Sequence, residues 1–313
     1  MRTVVVAAVL CVWGTVQAEK VVRSVAISAD GALVAGIVEE HNKGEQYQGD
    51  KLMVWDLKSP KSKVLAVVER ITQIKFAPND HTIGYAAQKP VGPVTLINGD
   101  TGKVVRVLNE AGHSFAFSPD GKTLGSESDD DLKLWDLATG AIVERRSGGT
   151  GMNNPMILRN DRTIHFMDSS LSISKPGQRF PEKWPFASHD LSLSPDGKYL
   201  AIYDNGLILV DTSSGKAVAK TEPFETDKER GERGDQWTFA PDGKAIAFVF
   251  DRAIVWFSVP DLRVASTWKK DLHGAQSVAI SRDGKNVAIA LENCVRVIDG
   301  TSADGKLIVQ LEP

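Results

Sequence analysis

Cysteine is almost absent from this sequence. The 313 residues include two cysteines, Cys11 and Cys294, and Cys11 lies in an apolar segment at the N-terminus. A disulfide framework needs pairs of cysteines, so the class of small disulfide-stabilised domains is excluded. We therefore expect a fold held together by a packed core, for which the chain is long enough.

An excess of positive charge and long apolar runs are also lacking. Lysine and arginine number 37 against 40 aspartate and glutamate residues, which gives a formal net charge of −3. Without a domain-wide positive field, nucleic-acid binding has no electrostatic support. After residue 18, no apolar run approaches the roughly 20 residues that cross a bilayer as a helix. We predict no transmembrane segment in that part of the chain.

The first 18 residues have the pattern of a secretory signal peptide. Arg2 precedes an apolar run at 4–13, and a small-residue cleavage site follows at 16–18. A lipoprotein signal built on Cys11 is the alternative, but it would need a small residue where the bulky Leu10 stands. We predict that the segment is removed and that the protein is exported, to the periplasm or outside the cell.

The mature chain, residues 19–313, consists of repeats. One turn pattern recurs at intervals of 49, 41, 40, 36, 46 and 41 residues, a spacing typical of propellers. Its copies are VAISADGALVA (25–35), IKFAPNDHTIG (74–84), FAFSPDGKTLG (115–125), MILRNDRTIHF (156–166), LSLSPDGKYLA (191–201), TFAPDGKAIAF (238–248) and VAISRDGKNVA (278–288). The first Asp position of the turn holds Asp30, Asn79, Asp120, Asn160, Asp196, Asp242 and Asp283.

Each copy predicts a β-hairpin. Apolar residues alternate with small or polar ones on both sides of the turn, which is the period of a half-buried strand. In the turn, Pro fixes φ, Asp accepts an Asx-type hydrogen bond and Gly adopts the left-handed conformation. We predict that these residues reverse the chain and have no other role.

A second hairpin follows in each unit. Its first strand, the third of the unit, is LMVWDL (52–57), VTLIN (94–98), LKLWDL (132–137), LSIS (171–174), LILVD (207–211), AIVWF (253–257) or VRVID (295–299). Outside the fourth unit, we place Trp55, Ile97, Trp135, Val210, Trp256 and Ile298 at equivalent positions in these strands. A fourth strand, such as KVVRVL (103–108), completes a four-stranded antiparallel meander.

A lone meander cannot bury both of its faces, but a ring of meanders can. We predict an all-β fold, a seven-bladed propeller of four-stranded antiparallel blades that forms a single domain. The approximate blades are 20–70, 71–112, 113–152, 153–188, 189–234, 235–274 and 275–313. An open solenoid is the alternative, but neither end of the chain resembles a capping unit.

Two irregularities are expected in this ring. The fourth unit has Asn160-Asp161-Arg162 in place of Pro-Asp-Gly, so we expect a degenerate blade there. The chain opens with an inner strand at 21–28 and ends with an outer one at 306–313. We therefore expect the ring to close without exchange of a terminal strand.

The FSPDGK turn followed by LWDLATG resembles the WD40 and WD40-like propeller families. The Trp-Asp pair that is typical of WD40 units occurs at Trp55-Asp56 and Trp135-Asp136, and a Gly-His pair occurs at Gly112-His113. Most units lack these pairs, so the chain is similar to the divergent, exported bacterial type. The resemblance implies a rigid platform on which partners bind.

Motifs for catalysis are missing. None of the seven Gly-Lys pairs has the spacing and following helix of a phosphate-binding loop, and no Gly-x-Ser-x-Gly elbow exists. The turn carboxylates lie one to a unit, whereas calcium needs converging oxygens. No ligand spacing relates the histidines, which are His41, His81, His113, His165, His189 and His273. We predict no catalytic residue, no metal ligand and no cofactor, and Cys294 and the histidines are expected to be surface or packing residues.

The irregular loops indicate where a partner binds. Strand directions place the loops between second and third strands, and the links between units, on one side of the ring, which we call the long-loop face. Its segments are 39–51, 88–93, 147–155, 181–190 and 222–235. Variable loops on a rigid scaffold commonly carry binding, and aromatic and arginine residues are favoured at interfaces. The candidate partner-binding residues are Glu40, His41, Tyr47, Trp184, Phe186, Phe224, Arg230 and Arg233. A solvated loop at 222–235, and a Trp184 that covers the edge of blade four, are the alternatives.

The sequence therefore predicts an exported, non-enzymatic, monomeric propeller that binds a protein or a component of the cell envelope. A hydrolase or lactonase is the alternative. It would place three or four inward Asp, Asn, Glu or His side chains around a metal ion in the central channel.

Overall fold

The computed structural model describes residues 19–41, 47, 49–87, 92–112, 114–127, 131–147, 156–161, 163–167, 171–176, 182–186, 190–203, 206–223, 237–250 and 252–313. All the regular secondary structure of these residues is β-strand. None of them forms a helix that is long and apolar enough to cross a membrane.

The strands form four-stranded sheets, and each sheet uses four consecutive strands in chain order. The first sheet contains β1 (Glu19–Ile27), β2 (Leu33–His41), β3 (Asp50–Asp56) and β4 (Ser59–Val68). The second contains β5 (Ile71–Phe76), β6 (Thr82–Ala87), β7 (Val94–Asn98) and β8 (Val104–Leu108). The third contains β9 (Ser114–Phe117), β10 (Thr123–Glu127), β11 (Asp131–Asp136) and β12 (Ile142–Ser147). The fourth contains β13 (Met156–Leu158), β14 (Ile164–Met167), β15 (Leu171–Ser174) and β16 (Glu182–Trp184).

The remaining sheets repeat this order. The fifth contains β17 (Asp190–Leu193), β18 (Tyr199–Tyr203), β19 (Leu207–Asp211) and β20 (Ala217–Lys220). The sixth contains β21 (Trp237–Phe239), β22 (Ala245–Phe250), β23 (Ala253–Ser258) and β24 (Val264–Lys269). The seventh contains β25 (Ser277–Ile280), β26 (Asn286–Ala290), β27 (Val295–Asp299) and β28 (Leu307–Leu311). We call the connection between the first and second strands of a sheet its first turn, and that between the third and fourth strands its third turn.

An apolar cluster lies between each sheet and the next, and a further cluster joins the seventh sheet to the first. Among the largest fully buried side chains are Trp55, Phe115 and Phe248. Full burial of one large apolar side chain stabilises a fold by about 1.5–3 kcal/mol. These clusters therefore dominate the stability of the ring, and the solenoid alternative is wrong because the two ends of the chain meet.

The prediction of an all-β propeller made of four-stranded antiparallel blades is confirmed, but the blade count is not. The described residues form seven four-stranded sheets, but six propeller blades are recognised instead of the predicted seven. The fourth sheet departs most from the others, since β13 and β16 have only three residues each. Every other sheet has a register shift between its third and fourth strands, and none occurs between β15 and β16.

The first turns have the predicted chemistry. The carboxylate of Asp120 accepts hydrogen bonds from the Lys122 amide at 3.0 Å and from the Ser118 hydroxyl at 2.7 Å. Gly121 has a φ of 67°, which glycine adopts without steric cost. The other first turns with an Asp-Gly pair repeat the carboxylate-to-amide bond.

Two first turns lack the Asp-Gly pair and use their asparagines differently. In the second and fourth sheets the turn carboxylate belongs to the next residue, Asp80 or Asp161. The asparagines are then available to the third sheet: Asn79 donates to the Asp120 carbonyl at 2.6 Å, and Asn160 accepts from the Asp120 amide at 3.0 Å. Asn79 and Asn160 stand where the repeat places the turn aspartates, but they do not make the turn hydrogen bond of those residues. They connect neighbouring sheets.

The ring closes between complete sheets, as predicted. The indole nitrogen of Trp55 donates to the Glu312 carbonyl at 2.9 Å, and the Val22 amide donates to the Glu292 carbonyl at 3.1 Å. A cluster around Val22, Trp55 and Val297 fills the space between the first and seventh sheets. No strand exchange is needed at this seam.

The position assigned to Trp256 is wrong by one residue. Asp136, next to Trp135, pairs with Thr123, two residues after the turn glycine, and Ser258 has the same relation to Ala245. Phe257 is thus the equivalent of Trp135. A shift of one residue reverses the face of a strand, and Trp256 accordingly packs toward the seventh sheet while Phe257 packs toward the fifth.

Candidate binding surface

The first sheet carries a polar cluster where β2 ends and β3 begins. The first-sheet cluster consists of Arg23, Glu39, Tyr47 and Asp50. Asp50 is fully buried, and its carboxylate accepts the Ile71 amide at 2.6 Å, the Tyr47 hydroxyl and the Arg23 guanidinium. A buried carboxylate is tolerated only with such partners. Because Ile71 begins the second sheet, this carboxylate also joins two sheets.

The hydroxyl of Tyr47 is bound to the buried Asp50, while the rest of the residue is partly exposed. The residue is 39% exposed, and its hydroxyl donates to Asp50. Burial of the hydroxyl, together with the hydrogen bond to Asp50, raises the pKa of Tyr47 above its usual value. The hydroxyl therefore remains a donor, and the ring is an ordered aromatic surface.

Glu40 lies in a layer of ion pairs on the opposite face of the first sheet from Asp50 and its partner Tyr47. Its carboxylate is 2.6 Å from the Lys51 ammonium and 3.7 Å from the Lys20 ammonium. The Lys20 ammonium also donates to the Pro313 backbone oxygen at 2.8 Å. Partly exposed pairs of this kind contribute only about 0–1 kcal/mol each, so they can exchange partners at small cost.

Trp184 is buried and is not an exposed aromatic side chain. Only 9% of it is exposed, and it packs in the cluster between the fourth and fifth sheets. A methyl group added to Gly215, in the third turn of the fifth sheet, would lie 2.9 Å from the indole. This geometry supports the alternative that Trp184 covers the edge of its sheet.

Phe186 lies close to Trp184 and is partly buried against the same cluster. Its carbonyl accepts the Leu171 amide at 2.8 Å, and its amide donates to the Trp184 carbonyl at 2.8 Å. The backbone here is therefore fixed, while part of the ring remains accessible.

The other candidate residues are described partly or not at all. His41 ends β2, and nothing is described of its side chain. Phe224, Arg230 and Arg233 lie outside the described residues. Of the predicted set, the structure places Glu40 and Tyr47 on opposite faces of the first sheet, and it brings Trp184 and Phe186 together on the fourth.

Two buried cations, which the sequence analysis missed, lie on opposite faces of the third sheet. Lys133 is 4% exposed, and its ammonium donates to the Glu110 carbonyl at 2.5 Å and pairs with Asp131 at 3.3 Å. Arg146 is 5% exposed and bonds to Glu144 at 2.7 Å and to the Ser174 carbonyl at 3.0 Å. The lysine in LKLWDL was the sequence signal for such a site, because this strand is buried on both faces and a buried cation needs polar partners.

A cavity of about 810 Å³ lies among the first strands of the sheets. Residues that line it include Val25, Lys75, Phe117, Leu158, Arg159 and Arg282. Within the described part of the chain, no three His, Cys, Asp or Glu side chains are grouped to hold a metal ion. The hydrolase alternative thus gains no support from these residues.

Cys294 is a core residue. It is 2% exposed and belongs to the cluster between the sixth and seventh sheets. Burial raises the pKa of its thiol, which keeps it protonated and weakly reactive.

Comparison with known proteins confirms the WD40 resemblance. Residues 102–136 match the family described as "WD domain, G-beta repeat". The matched region contains the FSPDGK turn and ends at the Trp135-Asp136 pair, on which the resemblance was based. No curated protein matches the sequence.

The fold is also similar to that of solved structures. One chain of "Crystal Structure of Mitotic Checkpoint Complex" superimposes with a TM-score of 0.66, covering 93% of this chain and 93% of that one. The two sequences are 14% identical, so the likeness concerns the fold alone.

Proposed function

We propose that this protein is an exported, non-enzymatic propeller scaffold that binds a protein or a cell-envelope component through the long-loop face. The WD40 repeat match and the propeller fold support a role in protein interaction. Fold alone does not identify a partner, so the choice of face depends on the geometry of particular residues.

The observation that carries the proposal is the presentation of Tyr47. Its ring is exposed while its hydroxyl is fixed to the buried Asp50. An immobilised aromatic side chain loses little conformational entropy on binding, which is one reason why tyrosine is frequent at binding hot spots. The Glu40–Lys51 pair, on the other side of the first sheet, supplies exchangeable charges, and Phe186 is a second aromatic candidate.

The remaining parts of the proposal concern the chain as a whole. We propose that residues 1–18 are a cleaved signal peptide and that residues 19–313 form one monomeric domain. We also propose that the fourth sheet is a shortened blade, which brings the number of blades to seven. Apolar clusters on both sides of that sheet support this count.

A photo-cross-linking experiment tests the proposed face. The photoreactive analogue benzoylphenylalanine would replace Tyr47, at the proposed face, or Tyr199, which begins β18 next to a first turn. After irradiation of the exporting cells, we expect an adduct with one envelope component from position 47 and no adduct from position 199. Equal adducts from both positions, or none from position 47, would overturn the assignment.

A further inference from the structure

His81 lies between two carboxylates that belong to different sheets. It occupies the first turn of the second sheet, and its Nε2 atom is 3.1 Å from Oδ2 of Asp30, in the first turn of the first sheet. Its Nδ1 atom is 2.9 Å from both carboxylate oxygens of Asp100, in the third turn of the second sheet. One imidazole thus connects three turns.

This geometry requires a protonated imidazole. A neutral histidine has one N–H donor and one acceptor nitrogen, whereas the imidazolium has two donors. Both nitrogens here face carboxylate oxygens, so loss of the proton turns one contact into a repulsion between lone pairs. The contacts with both carboxylates can be favourable only when His81 is charged.

The Asp30 carboxylate cannot relieve this repulsion by taking up the proton. It accepts hydrogen bonds from the Ser28 hydroxyl at 2.7 Å and the Ala32 amide at 3.0 Å. These bonds lower the pKa of Asp30 to about 2. Burial lowers the pKa of His81, but its hydrogen bonds to Asp100 and Asp30 outweigh this effect and raise the pKa above its ordinary value.

The charges that act on His81 are the carboxylates of Asp100 and Asp30. Asp80 precedes His81, and its carboxylate accepts the Thr82 amide at 2.8 Å. On the side of β4, the Lys63 ammonium is 3.4 Å from the Asp100 carbonyl, not from its carboxylate. On the side of the third sheet, the Asp120 carbonyl accepts from Asn79.

A metal site is a poorer explanation of the same residues. The two carboxylates contact different nitrogens of the imidazole, so they do not converge with one ring nitrogen on a common point. Binding of a divalent metal needs such convergence. The arrangement is that of a doubly hydrogen-bonded imidazolium.

We propose that His81 is a pH-sensitive latch that joins the first and second sheets when it is protonated and weakens their contact when it is not. The same two sheets are also joined at the opposite ends of their strands, where the Asp50 carboxylate accepts the Ile71 amide. The latch therefore controls one of several polar connections across this junction, and the apolar cluster between the sheets maintains the ring in both states.

The sign of the pH dependence follows from linkage. A histidine whose folded pKa is raised contributes stability below its ordinary pKa, and this contribution is lost as the pH rises through the folded value. Asp30 stays ionised throughout that range. Contact across the junction is therefore strongest in mild acid and weakest in alkali.

Amide hydrogen exchange and NMR titration of the full mature chain test this proposal. The reporters are the amides of Ala32, bound to the Asp30 carboxylate, and Gly99, bound to the His81 carbonyl. Protection factors, corrected for intrinsic exchange, are compared between about pH 5 and about pH 9, the range in which histidines titrate. In the wild type we expect protection to fall about two- to fivefold as the His81 ring resonance titrates, the size of a partly exposed ion pair.

Variants separate the latch from a general effect of pH. His81→Gln should remove the fall in protection, because glutamine does not titrate. His273→Gln, in the link between the sixth and seventh sheets, should leave it unchanged. Asp100→Asn should lower the pH at which the His81 resonance titrates. A wild type and a His81→Gln variant with the same pH profile would overturn the proposal, as would a His81 that is already neutral at about pH 5.

Discussion

Neighbouring sheets of this protein are joined in two different ways under their third turns. A side chain from the fourth strand of one sheet lies beneath the third-turn glycine of the next. At two junctions this side chain is an indole, Trp184 beneath Gly215 and Trp268 beneath Gly305. At two others it is a long cation, Lys63 beneath Gly102 and Arg106 beneath Gly140.

The indole and the cation stabilise the same position by different interactions. Trp268 is 6% exposed and packs on Trp256, with ring centroids 4.9 Å apart. Arg106 remains at the surface and donates to the carbonyls of Thr139 at 2.9 Å and Ala138 at 3.0 Å. An indole stabilises its junction by excluding water, whereas a guanidinium satisfies turn carbonyls that already face water. The position requires a long side chain rather than a particular chemistry.

Truncation of each side chain should reveal the difference most clearly. Trp268→Ala leaves a cavity beneath the seventh sheet, and replacement of a buried Trp by Ala costs about 3–5 kcal/mol. Arg106→Ala removes only hydrogen bonds that water can replace, with an expected loss of about 0.5–1.5 kcal/mol. Urea unfolding of both variants measures the two losses, and equal losses would show that the junctions do not differ in kind.

The glycines provide a second test of the same contrast. Gly305 and Gly140 have φ values of 66° and 76°, so alanine at either position costs about 1–2 kcal/mol of backbone strain. At Gly305 the new methyl group would also lie 2.6 Å from the rigid Trp268 ring, whereas at Gly140 it would meet the flexible Arg106 side chain. We expect Gly305→Ala to be the more destabilising in urea unfolding, by about a further 1–3 kcal/mol of overpacking.

A double variant distinguishes overpacking from strain. Combining Gly305→Ala with Trp268→Leu should recover the part of the loss that comes from the contact, because leucine withdraws from the methyl group. The pairing of Gly140→Ala with Arg106→Ala should show no such coupling. Additive effects in both pairs would contradict the comparison.

The repeated architecture was accessible from the sequence because its signals are local. Period-two alternation and a recurring Asp-Gly turn predict hairpins, and the structure confirms the turn carboxylate at Asp120 and its equivalents. Four strands per unit followed from the second hairpin. The count of blades was less accessible, since the fourth unit has the weakest turn and the shortest strands.

The roles of particular side chains were not accessible, because they depend on contacts between sheets or on register. AIVWF is apolar at every position, so alternation could not establish whether Trp256 or Phe257 faces the fifth sheet. Trp184 was assigned to the long-loop face because it is an aromatic residue in an irregular loop, but the third turn of the next sheet covers it. His81 gained its role from Asp30, 51 residues away in the chain.

The smallest expected difference between the junctions is their response to acid. Trp184 lies beneath the third turn of the fifth sheet, and Asp211 lies in that turn. The Asp211 carboxylate accepts hydrogen bonds from the hydroxyls and amides of Ser213 and Ser214. The Ser213 hydroxyl, followed by the bonds to Ser214, lowers the pKa of Asp211 to about 2. A carboxylate with a lowered pKa contributes stability above its unfolded value of about 4, and this contribution is lost as the pH falls through the folded value.

Asp211→Asn should therefore lower the urea midpoint relative to the wild type at about pH 5, and the difference should shrink toward zero at about pH 2. The difference between Trp268→Ala and the wild type should stay nearly constant over the same range, because indole packing involves no proton. The effect at Asp211 is small, since the carboxylate is at the surface and water screens its interactions. A difference that stays constant with pH would mean that the charge of Asp211 does not stabilise the turn, and that the two kinds of junction do not differ in their response to acid.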